Sequence, residues 1–241
     1  MSSSSKIEWT EATWNPLTGC SKISLGCLNC YAEKMCKRLK AIGHPNYVDG
    51  FSLKMHECAL SIPFQWKKPK NIFVNSMSDL FHEEATDDFI LRIFNVMYKA
   101  NWHNFQILTK RTERLLNLNS YIDWQPHIWM GVTVETNDYL YRITHLLKTN
   151  AHIKFISFEP LLGDLINIDL NGIDWVIVGG ESGPKARPIN SSWVLHVRDQ
   201  CKQQNVPFFF KQWGGRQKNK SGRLLEGKTW NGLPLYSSKL A

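Results

Sequence analysis

Six short apolar runs, rich in β-branched and aromatic residues, recur along the chain. They are NIFVNSMSDLF (71–81), NFQILTKR (104–111), IWMGVTVET (128–136), IKFISFEPLLG (153–163), DWVIVGGESG (174–183) and VPFFFKQWG (206–214). A strand with one wet face alternates polar and apolar residues, whereas a strand covered on both faces reads as a continuous apolar run. Such runs with helices between them pair in parallel through right-handed crossovers, so the class is α/β. A further strand ending near Thr13 is expected in IEWTEATWNPLTG. Six or seven parallel strands in 241 residues predict a complete or partial parallel βα barrel, TIM-like, as a single domain spanning 1–241.

The intervening segments carry helical period. TDDFILRIFNVMYKA opens on Thr86 as a cap with two Asp in its first turn, and puts Phe89, Ile93, Val96 and Met97 on one face. NDYLYRITHLLKTN and SSWVLHVRDQCKQQN follow the same logic, with Asn137 and Ser191 or Ser192 as caps, while 163–174 is too short for a full helix. The Gly- and Lys-rich stretch from 214 to 228 reads as a lid or mobile loop, part of a mobile basic segment reaching from about 214 to 241.

Polar residues gather where each strand ends: Asn75, Ser76, Ser78 and Asp79; Thr109, Lys110 and Arg111; Thr133 and Glu135; Ser157 and Glu159; Gly179, Gly180 and Glu181; Lys211 and Gln212. In a parallel barrel these ends share one face, the face that carries active sites. Glu159, next to Pro160, needs a ligand or a basic partner, for which Lys110 and Arg111 are candidates. Gly179, Gly180 and Gly183 allow close backbone approach, with Glu181 available to a ribose hydroxyl or an amine. Lys185 and Arg187, stiffened by Pro184 and Pro188, suit phosphate contact, and Trp213 is read as packing.

No run of eighteen apolar residues occurs and the N-terminus lacks a signal-peptide core, which predicts a soluble, cytoplasmic protein without a membrane role. The net charge is +8, with Lys and Arg concentrated in KMCKRLK, QWKKPK, LTKRTER and GGRQKNKSGRLLEGK. That distribution favours a polyanionic partner such as nucleic acid.

In a reducing compartment six cysteines stay as thiols, and Cys20, Cys27 and Cys30 crowd into eleven residues, CSKISLGCLNC. Three thiolates suit three irons of a four-iron, four-sulfur cluster, or a zinc completed by Cys36, His44, His56 or Cys58. The zinc reading gives a non-catalytic nucleic-acid-binding protein, the open cluster an enzyme; a cluster with a structural or redox-sensing role is a third reading. The remaining histidines lack ligand spacing, and Cys36 reads as packing.

Together WNPLTGCSKISLGCLNCYAEK, FVNSMSDLF, LTKR, WMGVTVE, FISFEPLLG, WVIVGGESGPKARP, PFFFKQWGG and LEGKTWNGLP resemble the phage-associated three-cysteine family of uncharacterised proteins, a divergent branch related to radical SAM enzymes, over about residues 7 to 235. The resemblance implies a barrel-type fold in which Cys20, Cys27 and Cys30 ligate a 4Fe-4S cluster whose open iron chelates S-adenosylmethionine for reductive cleavage to a 5′-deoxyadenosyl radical. It further implies an external electron donor and an unidentified substrate, with DNA or tRNA modification or repair as the first choice; the chain's size adds a partner protein as a candidate to complete the site. It places Asn75, Ser78 and Asp79 near the methionine amino group. Tyr31 would lie against the adenine, and Lys110 and Arg111 would grip the carboxylate. The chain departs from the usual radical SAM spacing, with six residues between Cys20 and Cys27 and Asn29 where an aromatic is usual.

Overall fold

The computed structural model describes residues 4–5 and 7–234; positions 235–241 of the segment expected to be mobile lie outside the described residues. The chain divides into two compact units. The first holds Met1–Ile23, Cys30–Met130 and Lys148–His152, the second Ser24–Asn29, Gly131–Leu147 and Ile153–Ala241.

The first unit contains β1 (Ala12–Trp14), β2 (Leu17–Thr18), α1 (Tyr31–Ala41), β3 (Lys54–Met55), α2 (Ile62–Gln65), β4 (Asn71–Val74), α3 (Asp87–Lys99), β5 (Asn104–Thr109) and α4 (Thr112–Leu118). β1 and β4 pair in parallel with Trp14 opposite Val74, and β4 and β5 do so with Val74 opposite Ile107. β2 and β3 form a small antiparallel pair. Thr86 caps α3 as expected, its hydroxyl accepting from Phe89 N–H at 3.3 Å, and Phe89, Ile93, Val96 and Met97 are all buried. Burying each such side chain stabilises by about 1.5–3 kcal/mol.

β6 (Ile128–Thr133) begins in the first unit and ends in the second. The second unit then holds α5 (Tyr141–Leu147), β7 (Ile153–Phe158), β8 (Trp175–Gly179), α6 (Ser191–Gln203), β9 (Phe208–Gln212) and α7 (Lys218–Ser221). β7, β8 and β9 pair in parallel, with Ile156 opposite Val176 and Val178 opposite Phe210. Every residue of β6 and β8 is buried, which is why both runs lack polar alternation.

The strand order is β1-β4-β5-β6-β7-β8-β9, the sequential order of βα units, and the α/β class stands. Closure into a complete barrel through β9 is excluded locally. The outer edge of β9 is taken by the chain at 230–232, through Phe210 N–H to Trp230 O at 3.0 Å and Gly232 N–H to Phe208 O at 2.9 Å.

Two caps differ from expectation. Asn137 opens a short 3-10 turn, Asn137–Tyr139, and donates its side-chain amide to Asp164 O at 3.1 Å, so it does not cap α5. α6 is capped by Asn190, whose Oδ1 accepts from Ser192 N–H at 3.0 Å. Asn satisfies the orphan N–H groups as well as Ser does, and here it stands one residue earlier. No helix forms between β7 and β8, as the short connection predicts. Among the described residues no helix is long and apolar enough to cross a membrane.

Candidate functional site

In the first unit the turn after β4 fastens the approach to the first cysteine. Asn75 adopts a left-handed conformation, φ 60°, and its Oδ1 accepts from Leu17 N–H at 3.2 Å. Its Nδ2, in a residue only 3% exposed, has no partner among the described residues. Ser78 Oγ donates to Leu17 O at 3.1 Å and Gly19 N–H to Met77 O at 3.1 Å, while Cys20 N–H reaches Phe51 O at 3.0 Å. Gly19, at φ +84°, passes so close to Ser52 that a Cβ would sit 2.0 Å from its carbonyl oxygen.

Asp79 and Arg111 organise the rest of this end. The buried Asp79 carboxylate accepts from Thr109 Oγ1 at 2.7 Å, Lys110 N–H at 3.0 Å and Phe81 N–H at 3.0 Å, which ties the end of β5 to the turn after β4. The Arg111 guanidinium donates to Glu83 at 2.7 Å and to Ser21 Oγ at 2.7 Å, and its Nη1 stands 3.6 Å from Cys20 Sγ and 3.6 Å from Asp79. That Arg111 hydrogen bond is the chief reason the Glu83 carboxyl is lowered to about 2. His82 receives Ser21 N–H at 3.1 Å, and burial, reinforced by Arg111, pushes its titration down.

Cys30 is the residue before α1 and packs on the apolar cluster of Ala32, Cys36, Tyr47 and Met77. Tyr31 opens the helix, 52% exposed as a residue, with its hydroxyl donated to Ser76 O. Cys36 is fully buried and donates to Gly50 O at 2.9 Å, as packing predicts.

Of the other zinc candidates, His56 is buried against Thr18 Oγ1 at 2.8 Å, His44 Nδ1 accepts from Asn46 N–H at 3.2 Å and Cys58 is exposed. Among the described residues no three His, Cys, Asp or Glu side chains gather as ligands of a single ion would.

In the second unit three successive strand ends each deliver a glutamate to a cation. After β6, Glu135 is fully buried and meets Arg142 of α5 at 2.9 Å; Arg142 also donates to Thr133 O at 2.8 Å and lies 4.2 Å over the Tyr139 ring. After β7, Glu159 takes Lys211 Nζ at 3.0 Å and Ser157 Oγ at 3.0 Å. Its basic partner is therefore Lys211, and not Lys110 or Arg111; the Arg111 guanidinium pairs with Asp79 and Glu83, and Lys110 gives its backbone N–H to Asp79. After β8, Glu181 accepts from Arg187 Nη2 at 2.6 Å, Arg187 N–H at 2.9 Å and Asn29 Nδ2 at 2.9 Å. Burial acts to raise the Glu181 carboxyl, but the Arg187 and Asn29 hydrogen bonds outweigh it and hold the group below its ordinary value.

The segment Ser24–Asn29, which contains Cys27, docks on these groups. Ser24 Oγ donates to Glu135 at 2.5 Å and lies 3.5 Å from Cys27 Sγ. Leu25 N–H reaches Tyr139 Oη at 3.3 Å, Arg187 Nη2 donates to Leu25 O at 2.9 Å and Asn29 Nδ2 to Lys185 O at 2.9 Å. Gly26 crosses Glu135 where a Cβ would meet its Oε1 at 2.4 Å, so a side chain here would have to displace the Glu135 carboxylate. Asn29 serves here as a clamp, and the Arg187 side chain is spent on Glu181 and Leu25 O.

Gly179 faces Glu159, and Gly180 N–H donates to Gln212 O at 3.0 Å. Trp213 packs edge-on against Phe210 and donates Nε1 to Leu224 O at 2.8 Å, in keeping with a packing role. Glu159 and Lys211 have 14% and 19% side-chain exposure, against 0% and 1% for Glu135 and Arg142 and 5% and 30% for Glu181 and Arg187. A carboxylate beside an ammonium at a half-open strand end can receive a donor and an acceptor from one ligand, whereas in the buried pair the two charges answer each other away from solvent.

Sequence reasoning missed Ser21, His82 and Glu83 in the first unit and Ser24, Asn29 and Arg142 in the second. Arg142 alone carried a signal, as a charged residue inside the apolar period of NDYLYRITHLL.

The chain matches a family model described as "Protein of unknown function (DUF5131)" over residues 4–234. No curated protein and no solved structure matches it. The chain belongs to the DUF5131 family.

Proposed function

We propose that this protein is an iron–sulfur enzyme of radical SAM type, in which Cys20, Cys27 and Cys30 hold a four-iron, four-sulfur cluster and the strand-end residues receive S-adenosylmethionine. The reading also takes up the likeness to phage-associated three-cysteine proteins and a barrel of the radical SAM kind. The observation that carries it is the donor set. Three cysteines within eleven residues are all partly accessible, with Arg111 Nη1 at 3.6 Å from Cys20 Sγ and Ser24 Oγ at 3.5 Å from Cys27 Sγ. Positive charge at sulfur suits a thiolate ligand, because it offsets charge on the sulfur and tunes a cluster's potential. The residues fit such a group by chemistry. When bound, the cluster supplies the electron for reductive cleavage of S-adenosylmethionine, drawn from an external donor.

The chain's own residues then have definable tasks. Arg111, held by Glu83 and Asp79, stabilises the charge of Cys20. Ser24, Asn29 and Arg187 fasten the segment that carries Cys27. Asn75 Nδ2, buried and unpartnered among the described residues, is a donor that a ligand acceptor would satisfy. Glu159 and Lys211 orient a ligand bearing an amine or hydroxyl beside an acceptor.

The test is anaerobic purification, a count of iron, sulfide and zinc per chain, and electron paramagnetic resonance of the reduced protein with and without S-adenosylmethionine. About four irons per chain, as the proposed cluster requires, lost on changing Cys20, Cys27 or Cys30 to Ala, with a spectrum perturbed by the cofactor, is the expected result. One zinc and no cofactor effect overturns the proposal in favour of a zinc-held binding protein. A cluster indifferent to the cofactor leaves a structural or redox role.

A further inference from the structure

Positive charge is distributed unevenly along this chain. From 182 to 225 there are nine Lys and Arg and a single acidic residue, Asp199, so this stretch has a formal excess as large as the +8 of the whole chain. The acids beside it are already spent: Asp199 and Glu226 on Arg198, and Glu181 on Arg187 and Asn29.

Within the second unit two pieces of this stretch run side by side. Ser182 and Gly215 form a parallel bridge, Gly183 N–H donates to Gly215 O at 3.0 Å and Gly215 N–H to Glu181 O at 2.8 Å. The paired backbone carries Lys185 on one piece and Arg216 and Lys220 on the other, all three exposed and none facing a carboxylate among the described residues. Exposed residues beside them are Pro184, Gln217 and Ser221, with no large apolar side chain among these to anchor a protein. Exposed, unpaired cations beside a hydrogen-bonded backbone are what a phosphodiester backbone meets with release of its counterions.

We propose that this lip, residues 182–187 and 214–220, binds nucleic acid through its phosphate backbone, with Lys185, Arg216 and Lys220 as the contacting charges. The inference stands apart from the cluster reading, since it needs neither iron nor cofactor.

The test is fluorescence anisotropy of a fluorescein-labelled single-stranded oligonucleotide titrated with the full-length protein across a salt series. Replacing Lys185, Arg216 and Lys220 together by Gln removes about three contacts, which lowers the slope of log K against log salt by about 2 and, with convergence near 1 M, weakens binding about 100-fold at 0.1 M. A matched variant carrying Gln at the exposed Lys67, Lys68 and Lys148 removes the same charge elsewhere and is expected to keep the wild-type slope. Equal losses in the two variants, or a lip variant that binds as wild type does, overturns the proposal. So does binding to phosphatidylglycerol vesicles without binding to the oligonucleotide. Retained thermal unfolding in both variants shows that the changes act at the surface.

Discussion

Replacing Arg142 by Met asks whether Glu135 is a structural post or a ligand group. The two side chains are 1% and 0% exposed and meet at 2.9 Å. Met keeps much of the volume but leaves a buried carboxylate without its cation and the Thr133 carbonyl without its guanidinium donor. Breaking a buried pair in this way costs about 3–5 kcal/mol. The lost stacking on Tyr139 adds about 1 kcal/mol. For a chain of this size each kcal/mol moves the midpoint by about 2–4 °C, so Tm should fall by at least about 8 °C. Changing Glu135 to Leu as well removes the orphaned charge, and since exchange of a whole buried pair is near neutral, the double variant should recover to within about 2 kcal/mol of wild type. Calorimetry and urea unfolding of the four proteins measure the coupling. A single variant that loses less than about 1 kcal/mol, or a double variant no more stable than Arg142→Met, would refute the assignment and return Glu135 to the ligand-binding set.

Two other outcomes follow from the same geometry. Glu83 has its carboxyl lowered to about 2 from 4.5, first through Arg111, so the stability it contributes is present above about 4.5 and is lost as pH falls from there towards 2. Because its side chain is 58% exposed, solvent screens the effect; Glu83→Gln should flatten the acid side of a Tm profile modestly, and an unchanged profile contradicts the pairing. Burial pushes the Cys201 thiol up to about 12 and raises that of Cys36, so thiol titration of the folded protein at pH 8 should find Cys58 and miss these two until denaturant is added. Fast labelling of Cys201 in the folded state contradicts the packing described.

Much of the fold was legible because its signals are local. Buried parallel strands announce themselves as apolar runs, and β4 to β9 fall inside the predicted segments. Thr86 and the face of α3 were readable for the same reason, since capping and amphipathic period act within one or two turns. The caps at Asn137 and Asn190 were less so, because the choice of Asn or Ser turns on where the incoming backbone bends and on a remote acceptor such as Asp164 O. The gathering of polar residues at strand ends was also visible, and those residues do stand at the ends of β4 to β9.

By itself, then, the sequence determined the class, the strands and the residue types at their ends, all of which depend on neighbours within a few positions. Only the tertiary structure decided which charge answers which. Glu159 takes Lys211, fifty-two positions away, in preference to Lys110 or Arg111, and Asn29 reaches Glu181 across 152 positions. Such pairings carry no trace in local composition, because they depend on how parallel strands bring distant ends together, where burial makes an unpartnered carboxylate too costly to leave.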